Sequence, residues 1–156
     1  TTQHRYNMTT STYSLPQSER INSKKQIDRL FRGGGSKAMT AAPLRMVYMA
    51  DTRQADPLPA KAHQPMAQMM VSVPKRYFKR AVKRNYVKRQ VREAYRLNKH
   101  ILASHLAETG DKTVSLCFIW TSDRLLPTAE VMKRMANLLT RLVEKLSATD
   151  NKNIPQ

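Results

Sequence analysis

Cysteine is almost missing from this chain: Cys117 is the only one in 156 residues. An internal disulfide is thereby excluded, and the usage fits a reducing compartment. Cys117 sits in the apolar run VSLCFIW, a setting for packing and not for nucleophilic chemistry. Long hydrophobic runs are missing too. No stretch of 18 apolar residues exists, so no membrane-spanning segment is expected. The first seventeen residues contain no apolar h-region, so no secretory signal is expected there. The expectation is a cytoplasmic protein. Acidic residues are scarce: 11 Asp and Glu stand against 28 Lys and Arg, for a net charge of +17. In a chain the length of one domain, that imbalance makes nucleic acid the leading partner class. Two rivals are a merely soluble basic protein and one bound to an anionic membrane. The second is disfavoured, because the basic segment lacks the Trp/Phe/Leu-rich face of an interfacial anchor.

The residue patterns of protein-based catalysis are also missing. His4, His63, His100 and His105 form no His-Glu-x-x-His motif and no Cys/His ligand spacing. Asp51, Asp56, Asp111 and Asp123 fall in expected loops and make no evident acid/base pair. The triplet Gly33-Gly34-Gly35 lacks the Lys-Ser/Thr of a phosphate cradle and reads as a turn. No catalytic residue and no metal ligand is assigned to the protein.

What the chain does have is concentrated in residues 75–99, where eleven Lys or Arg accompany one acid, Glu93. A charge block this dense is ordinarily disordered. Here Val87, Val91, Ala94, Tyr95, Ile101 and Leu102 recur at helical spacing. At about 100° per residue, Asn85, Lys88, Arg89, Arg92, Arg96 and Lys99 cluster on the flank away from that stripe. The segment reads as a docked helix over about 78–107 with a rigid basic face, suited to regularly spaced phosphates. The bland alternative is a solvated helix face, against which stands its single sign of charge. Arg84 lies nearer the apolar side, where it would brace the helix through a carbonyl or carboxylate.

Around this helix the pattern predicts an α+β domain. Residues 1–17 read as a flexible tail. Ser23–Gln26 has capping-box form and opens a short helix over about 23–32, with Ile27, Leu30 and Phe31 on one face. A strand over 43–50 follows, with a short one before it near 36–40. Residues 51–66, with three prolines, read as a mobile loop. Strands are expected at 67–74 and 113–121, the latter with Val114, Leu116, Phe118 and Trp120 on one side. Pro127 opens a last helix whose stripe is Val131, Met135, Leu138, Leu139, Leu142 and Leu146. Residues 148–156 read as a second flexible tail, leaving 18–147 as the single domain. The long helices must cover the apolar face of the sheet, giving a two-layer α+β sandwich.

The order Ala81-Val82-x-Arg84-Asn85-x-x-Lys88-Arg89-x-x-Arg92-Glu93-x-Tyr95-Arg96 resembles the signature helix of the bacterial ribonuclease P protein family. The lead-in Val71-Ser72-Val73-Pro74-Lys75-Arg76 is similar to the family's as well, and the likeness covers roughly residues 19–146. Three features depart from the pattern. Tyr86 stands where a second Arg is usual, Tyr77–Arg80 is one residue longer than the common form, and Ile27 replaces a frequent aromatic.

The resemblance implies an α-β-β-β-α-β-α order with a left-handed β-α-β crossover. It implies the protein subunit of an endoribonuclease that removes 5′ leaders from precursor tRNA. The RNA subunit would carry the hydrolytic chemistry and most of the bound Mg²⁺. Partners would be that catalytic RNA and precursor tRNA, and no membrane. Lys75, Arg76, Arg84, Asn85, Lys88, Arg89, Arg92 and Arg96 would face RNA. Phe31 and Tyr48 would line a leader-binding cleft, Tyr48 exposed on one side, and Phe31 has an equally open reading as a core residue. The rival function is a structural ribosomal or general RNA-binding protein with no catalytic partner.

Overall fold

The strand with the densest run of large apolar residues takes the centre of the sheet. In the structure, a computed structural model describing residues 14–32, 34–52, 65–110 and 112–152, a short 3-10 turn (Gln17–Glu19) is followed by eight α-helices and β-strands. They are α1 (Lys24–Arg32), β1 (Lys37–Ala41), β2 (Leu44–Thr52), β3 (Ala67–Ser72), α2 (Ala81–Asn98), α3 (His100–Thr109), β4 (Lys112–Trp120) and α4 (Thr128–Lys152). The sheet order is β1-β2-β4-β3. Strand β4 pairs with β2 antiparallel and with β3 parallel. Buried on both faces, it has no use for the polar alternation of a half-exposed strand.

One face of the sheet carries the main core. Leu44, Met46 and Tyr48 of β2, Met69 of β3, and Val114, Leu116, Phe118 and Trp120 of β4 pack against α2, α3 and α4. The six expected stripe residues of α4, from Val131 to Leu146, are all buried there. On the other face Val47, Met49 and Cys117 pack with Leu30 of α1 and with Ile21, while Ile27 covers part of the same cluster. α1 is pinned by polar contacts as well. Gln26 donates to Gln68 Oε1 at 2.7 Å and to Ser115 Oγ at 3.2 Å, and Arg29 pairs with Asp51 at 2.8 Å.

Four boundaries differ from the sequence-based expectation. The basic helix begins at Ala81, because Pro74–Tyr77 closes a turn first and Phe78 is buried beneath it. It is also two helices, parted at Lys99; the apolar stripe continues through Ile101, Leu102 and Leu106, so periodicity alone does not reveal the break. α3 ends as a glycine-capped helix does, with Gly110 at φ 70° donating to Leu106 O. α4 runs on to Lys152, into the stretch expected as a tail. The first expected tail is likewise anchored from Ser14 onward: Ser14 O accepts from Lys99, and Leu15 packs on the core. Residues 1–13, most of the expected 51–66 loop and residues 153–156 lie outside the described residues.

Candidate nucleic-acid interface

Between Lys75 and Arg92 the chain contains no Asp or Glu. On α2, Lys88 and Arg92 stand one turn apart, with Asn85 and Arg89 beside them, so cationic groups recur at about the 5.4 Å helix pitch. The stem of this flank is fixed by Val87, Val91, Ala94 and Tyr95, all buried. Gln90 also holds the helix down: its amide donates to Leu126 O at 2.8 Å and to Thr128 Oγ1 at 3.2 Å. The cations are therefore presented by a helix locked onto the sheet.

A further arginine joins them. Glu19–Ile21 runs beside β3, with Arg20 bridging Met69 in parallel sense and Ile21 N donating to Met69 O at 2.9 Å. That path brings the Arg20 charge to Arg92. The Arg92 guanidinium is held below the ordinary arginine value, first by partial burial and then by the charges of Arg20 and Arg89. Arg20 and Arg89 thus each crowd Arg92 with like charge, an arrangement an anion would relieve, and guanidinium forks fit phosphate geometry. Arg20 escapes a reading of the sequence because it lies outside the dense basic block; only the path of its segment along β3 places it there.

The other expected residues divide. Asn85 and Arg89 are exposed and Lys88 half-exposed, as an RNA-facing role requires. Arg96 forms a two-point ion pair with Glu93, which lowers the glutamate's pKa through the hydrogen bond and raises the arginine's, so its charge is partly offset. Arg84 braces the turn before the helix, donating to Phe78 O at 2.8 Å and Lys79 O at 2.7 Å, the alternative role open for it in the sequence. Lys75 and Arg76 are exposed in that turn, and the Arg76 guanidinium lies 4.9 Å over the Tyr77 ring. Lys99, counted on the cationic flank by helical spacing, is instead buried and paired with Glu19.

The expected cleft of Phe31 and Tyr48 does not form. Tyr48 is only 5% exposed, in the core between sheet and helices, and burial raises its phenol pKa. Phe31 belongs to α1, on the opposite face, and is 47% exposed. The alternation of β2 is apolar on both faces, so it does not show which face meets solvent. On the α1 side, a row formed by Arg45 of β2, Ile119 of β4 and Ser72 of β3 is exposed or half-exposed.

Mg²⁺ takes oxygen ligands, chiefly carboxylates and waters. Among the described residues no group of three or more His, Cys, Asp or Glu converges. The cationic flank contributes one neutral oxygen donor, the Asn85 amide. Among the described residues, the side-chain donors do not assemble a Mg²⁺ site.

The family model described as Ribonuclease P matches residues 15–143. The ribonuclease P protein component of Porphyromonas gingivalis strain ATCC 33277 is 38% identical over 143 residues, spanning 92% of this chain and 96% of that protein. The protein component from Chlorobaculum tepidum is 34% identical over 140 residues, spanning 83% of this chain and 85% of its own. Among solved structures, the RNase P protein from Thermotoga maritima superposes with a TM-score of 0.56 at 19% identity, covering 79% of this chain and 96% of that one.

Proposed function

The chain belongs to the ribonuclease P protein family, and on that premise we propose that its α2 flank docks on the catalytic RNA while the α1 face of the sheet receives the 5′ leader of precursor tRNA. The family and the relatives indicate a protein component that assists an RNA subunit in tRNA processing. The chain is in that sense part of an endoribonuclease. A general RNA-binding protein without a catalytic partner is not favoured. No helix among the described residues is long and apolar enough to cross a membrane, and the proposed place of work is the cytoplasm.

The observation that carries the docking surface is the convergence of Arg20, Arg89 and Arg92, beside a stretch from Lys75 to Arg92 that contains no Asp or Glu. Lys88 and Asn85 extend it, the amide being able to meet a 2′-hydroxyl as donor or acceptor. Each phosphate neutralised releases counterions, which stabilises the complex and makes it salt-dependent. Hydrolysis of the phosphodiester is assigned to the RNA, whose phosphates would hold Mg²⁺. The protein's part is to lower the repulsion between RNA segments, so that less Mg²⁺ suffices. For the leader, Phe31 with Arg45 and Ile119 replaces the expected Phe31–Tyr48 pair: an aromatic for stacking, a cation for phosphate and an apolar floor.

The test is reconstitution with a bacterial ribonuclease P RNA and cleavage of precursor tRNA at low Mg²⁺. The expected result is cleavage by the complex at Mg²⁺ concentrations where the RNA alone is slow, and none by the protein alone. Cleavage by RNA-free protein, or no gain from adding it to the RNA, would overturn the reading.

A further inference from the structure

Two apolar side chains on α2 are turned away from every core cluster. Val82 is 79% exposed and Tyr86 52% exposed. They are four residues apart and so lie on one line of the helix surface. The next residue on that line is Gln90, whose amide holds Leu126 O. Leu125, adjacent to that anchor, is 46% exposed. Three of the four large hydrophobic side chains exposed among the described residues thus lie on this line of α2 or beside its continuation, Leu125 being joined to it through the Gln90–Leu126 hydrogen bond. An exposed aromatic supported by aliphatic neighbours is unlike the solvated line expected on an outer helix face.

The surroundings say what would cover it. Lys79, Arg80, Lys83 and Arg89 flank Tyr86 along the chain, and all are exposed. The acid nearest Tyr86 in sequence is Glu93, engaged by Arg96, and the acid nearest Leu125 is Asp123. A protein partner would need an acidic rim around an apolar centre. Structured RNA has the matching chemistry without special provision: an unpaired base offers a π-face, and its flanking phosphates meet the cations.

We propose that Tyr86 is a stacking platform for one unpaired nucleobase of the catalytic RNA, with Val82 and Leu125 supporting the base and Lys83 holding its phosphate. This rests on the docking role of α2 and adds to it a contact that reads a single-stranded feature of the RNA, where the Arg20–Arg89–Arg92 cluster reads charge. The same helix would then present two kinds of contact: phosphate contacts that respond to salt, and at Tyr86 a stacked base whose own contribution does not.

The test measures binding of the full chain to a bacterial ribonuclease P RNA across a salt series, with Tyr86 replaced in four ways. Tyr86→Ala should weaken binding about tenfold, a loss within the range of one stacked base, and leave the slope of log K against log salt unchanged. Tyr86→Phe should restore affinity to within about twofold, because the ring is kept. Tyr86→Arg should steepen the slope by up to about 0.9, as one added phosphate contact does on a duplex-like surface. Tyr86→Trp gives an independent readout: Trp120 is buried, so quenching of the new indole on RNA addition reports a base on residue 86. Affinity unchanged in Tyr86→Ala, or lost equally in Tyr86→Phe, overturns the stacking contact. So does a sedimentation shift showing that Tyr86→Ala abolishes self-association and not RNA binding. If the wild-type chain fails to bind the RNA, the docking reading falls first; if wild type binds and only the Tyr86 series is flat, this inference alone falls.

Discussion

Lys99 donates to both carboxylate oxygens of Glu19, at 2.9 Å to Oε1 and 3.2 Å to Oε2, with 8% of the lysine side chain exposed. The same ammonium donates to Ser14 O. The two residues are 80 positions apart in sequence, so the pair ties the N-terminal segment to the junction of α2 and α3. Arg20 follows Glu19 directly. A contact wholly internal to the fold therefore fixes where one arginine of the cationic cluster stands.

The first prediction concerns that tie. Glu19→Ala leaves a buried ammonium without its counter-charge, and unfolding free energy should drop by about 3 kcal/mol. Replacing both residues, Glu19→Leu with Lys99→Met, should recover most of the loss, because a buried ion pair exchanged for apolar groups is close to neutral. Urea midpoints at pH 7 decide it. A single variant as stable as wild type would show that the pair does not hold the segment.

The second concerns the cationic flank. Lys88→Ala, Arg89→Ala and Arg92→Ala together should weaken binding to the catalytic RNA and flatten the salt slope by up to about 0.9 per lost phosphate contact. Circular dichroism should stay native, since none of the three is in the core. Native folding with an unchanged slope would remove this flank from the interface.

The third concerns pH. Burial pushes the Cys117 thiol up to about 12 from an ordinary 9.0. Between those values the unfolded chain has released the thiol proton and the folded chain still holds it. Stability contributed by the neutral, buried thiol is thus complete below pH 9 and falls as pH rises through that window, by up to about 1.4 kcal/mol per unit. Cys117→Ala should lower stability at pH 7 through its cavity yet flatten the decline above pH 9. Parallel decline in the two proteins would mean that the thiol titrates alike in both states.

Much of the architecture is legible in the residues, and the exceptions share a cause. Strand β4 announces itself by its near-continuous run of large apolar residues and the stripe of α4 by its period of 3.6, because β4 is covered on both faces and α4 on one. Tyr48 misleads because β2 is covered on both sides, by the long helices and by α1; its two faces, Leu44-Met46-Tyr48 and Val47-Met49, look alike. Lys99 misleads because a helical wheel assigns a direction and knows nothing of Glu19, whose approach depends on the chain's path outside the helix. Arg20 is invisible for the same reason. The basic flank is legible in kind, whereas which of its members are already engaged depends on their partners: local ones for Arg96, held by Glu93 one turn earlier, and for Arg84, held by the carbonyls of Phe78 and Lys79, and a distant one for Lys99.

The last prediction separates the two aromatics that the sequence placed together. Phe31 is half in solvent on α1, on the same side of the sheet as Arg45 and Ile119. If it stacks on a leader base, holoenzyme affinity should rise as the precursor's leader lengthens from zero to several nucleotides. Phe31→Ala should then remove roughly 1 kcal/mol of that rise, the low end for one stacked base, and leave mature tRNA binding as it was. Tyr48→Ala should behave otherwise. Its ring is enclosed between sheet and helices, so truncation opens a cavity and costs on the order of 3 kcal/mol of stability, lowering the melting temperature. Whatever binding is lost with it should be lost for precursor and mature tRNA alike. Tyr48→Phe keeps the volume and should be nearly silent in both assays. A leader-specific loss in a fully folded Tyr48→Ala protein, with Phe31→Ala unaffected, would move the leader to the helix side of the sheet and remove it from the α1 face.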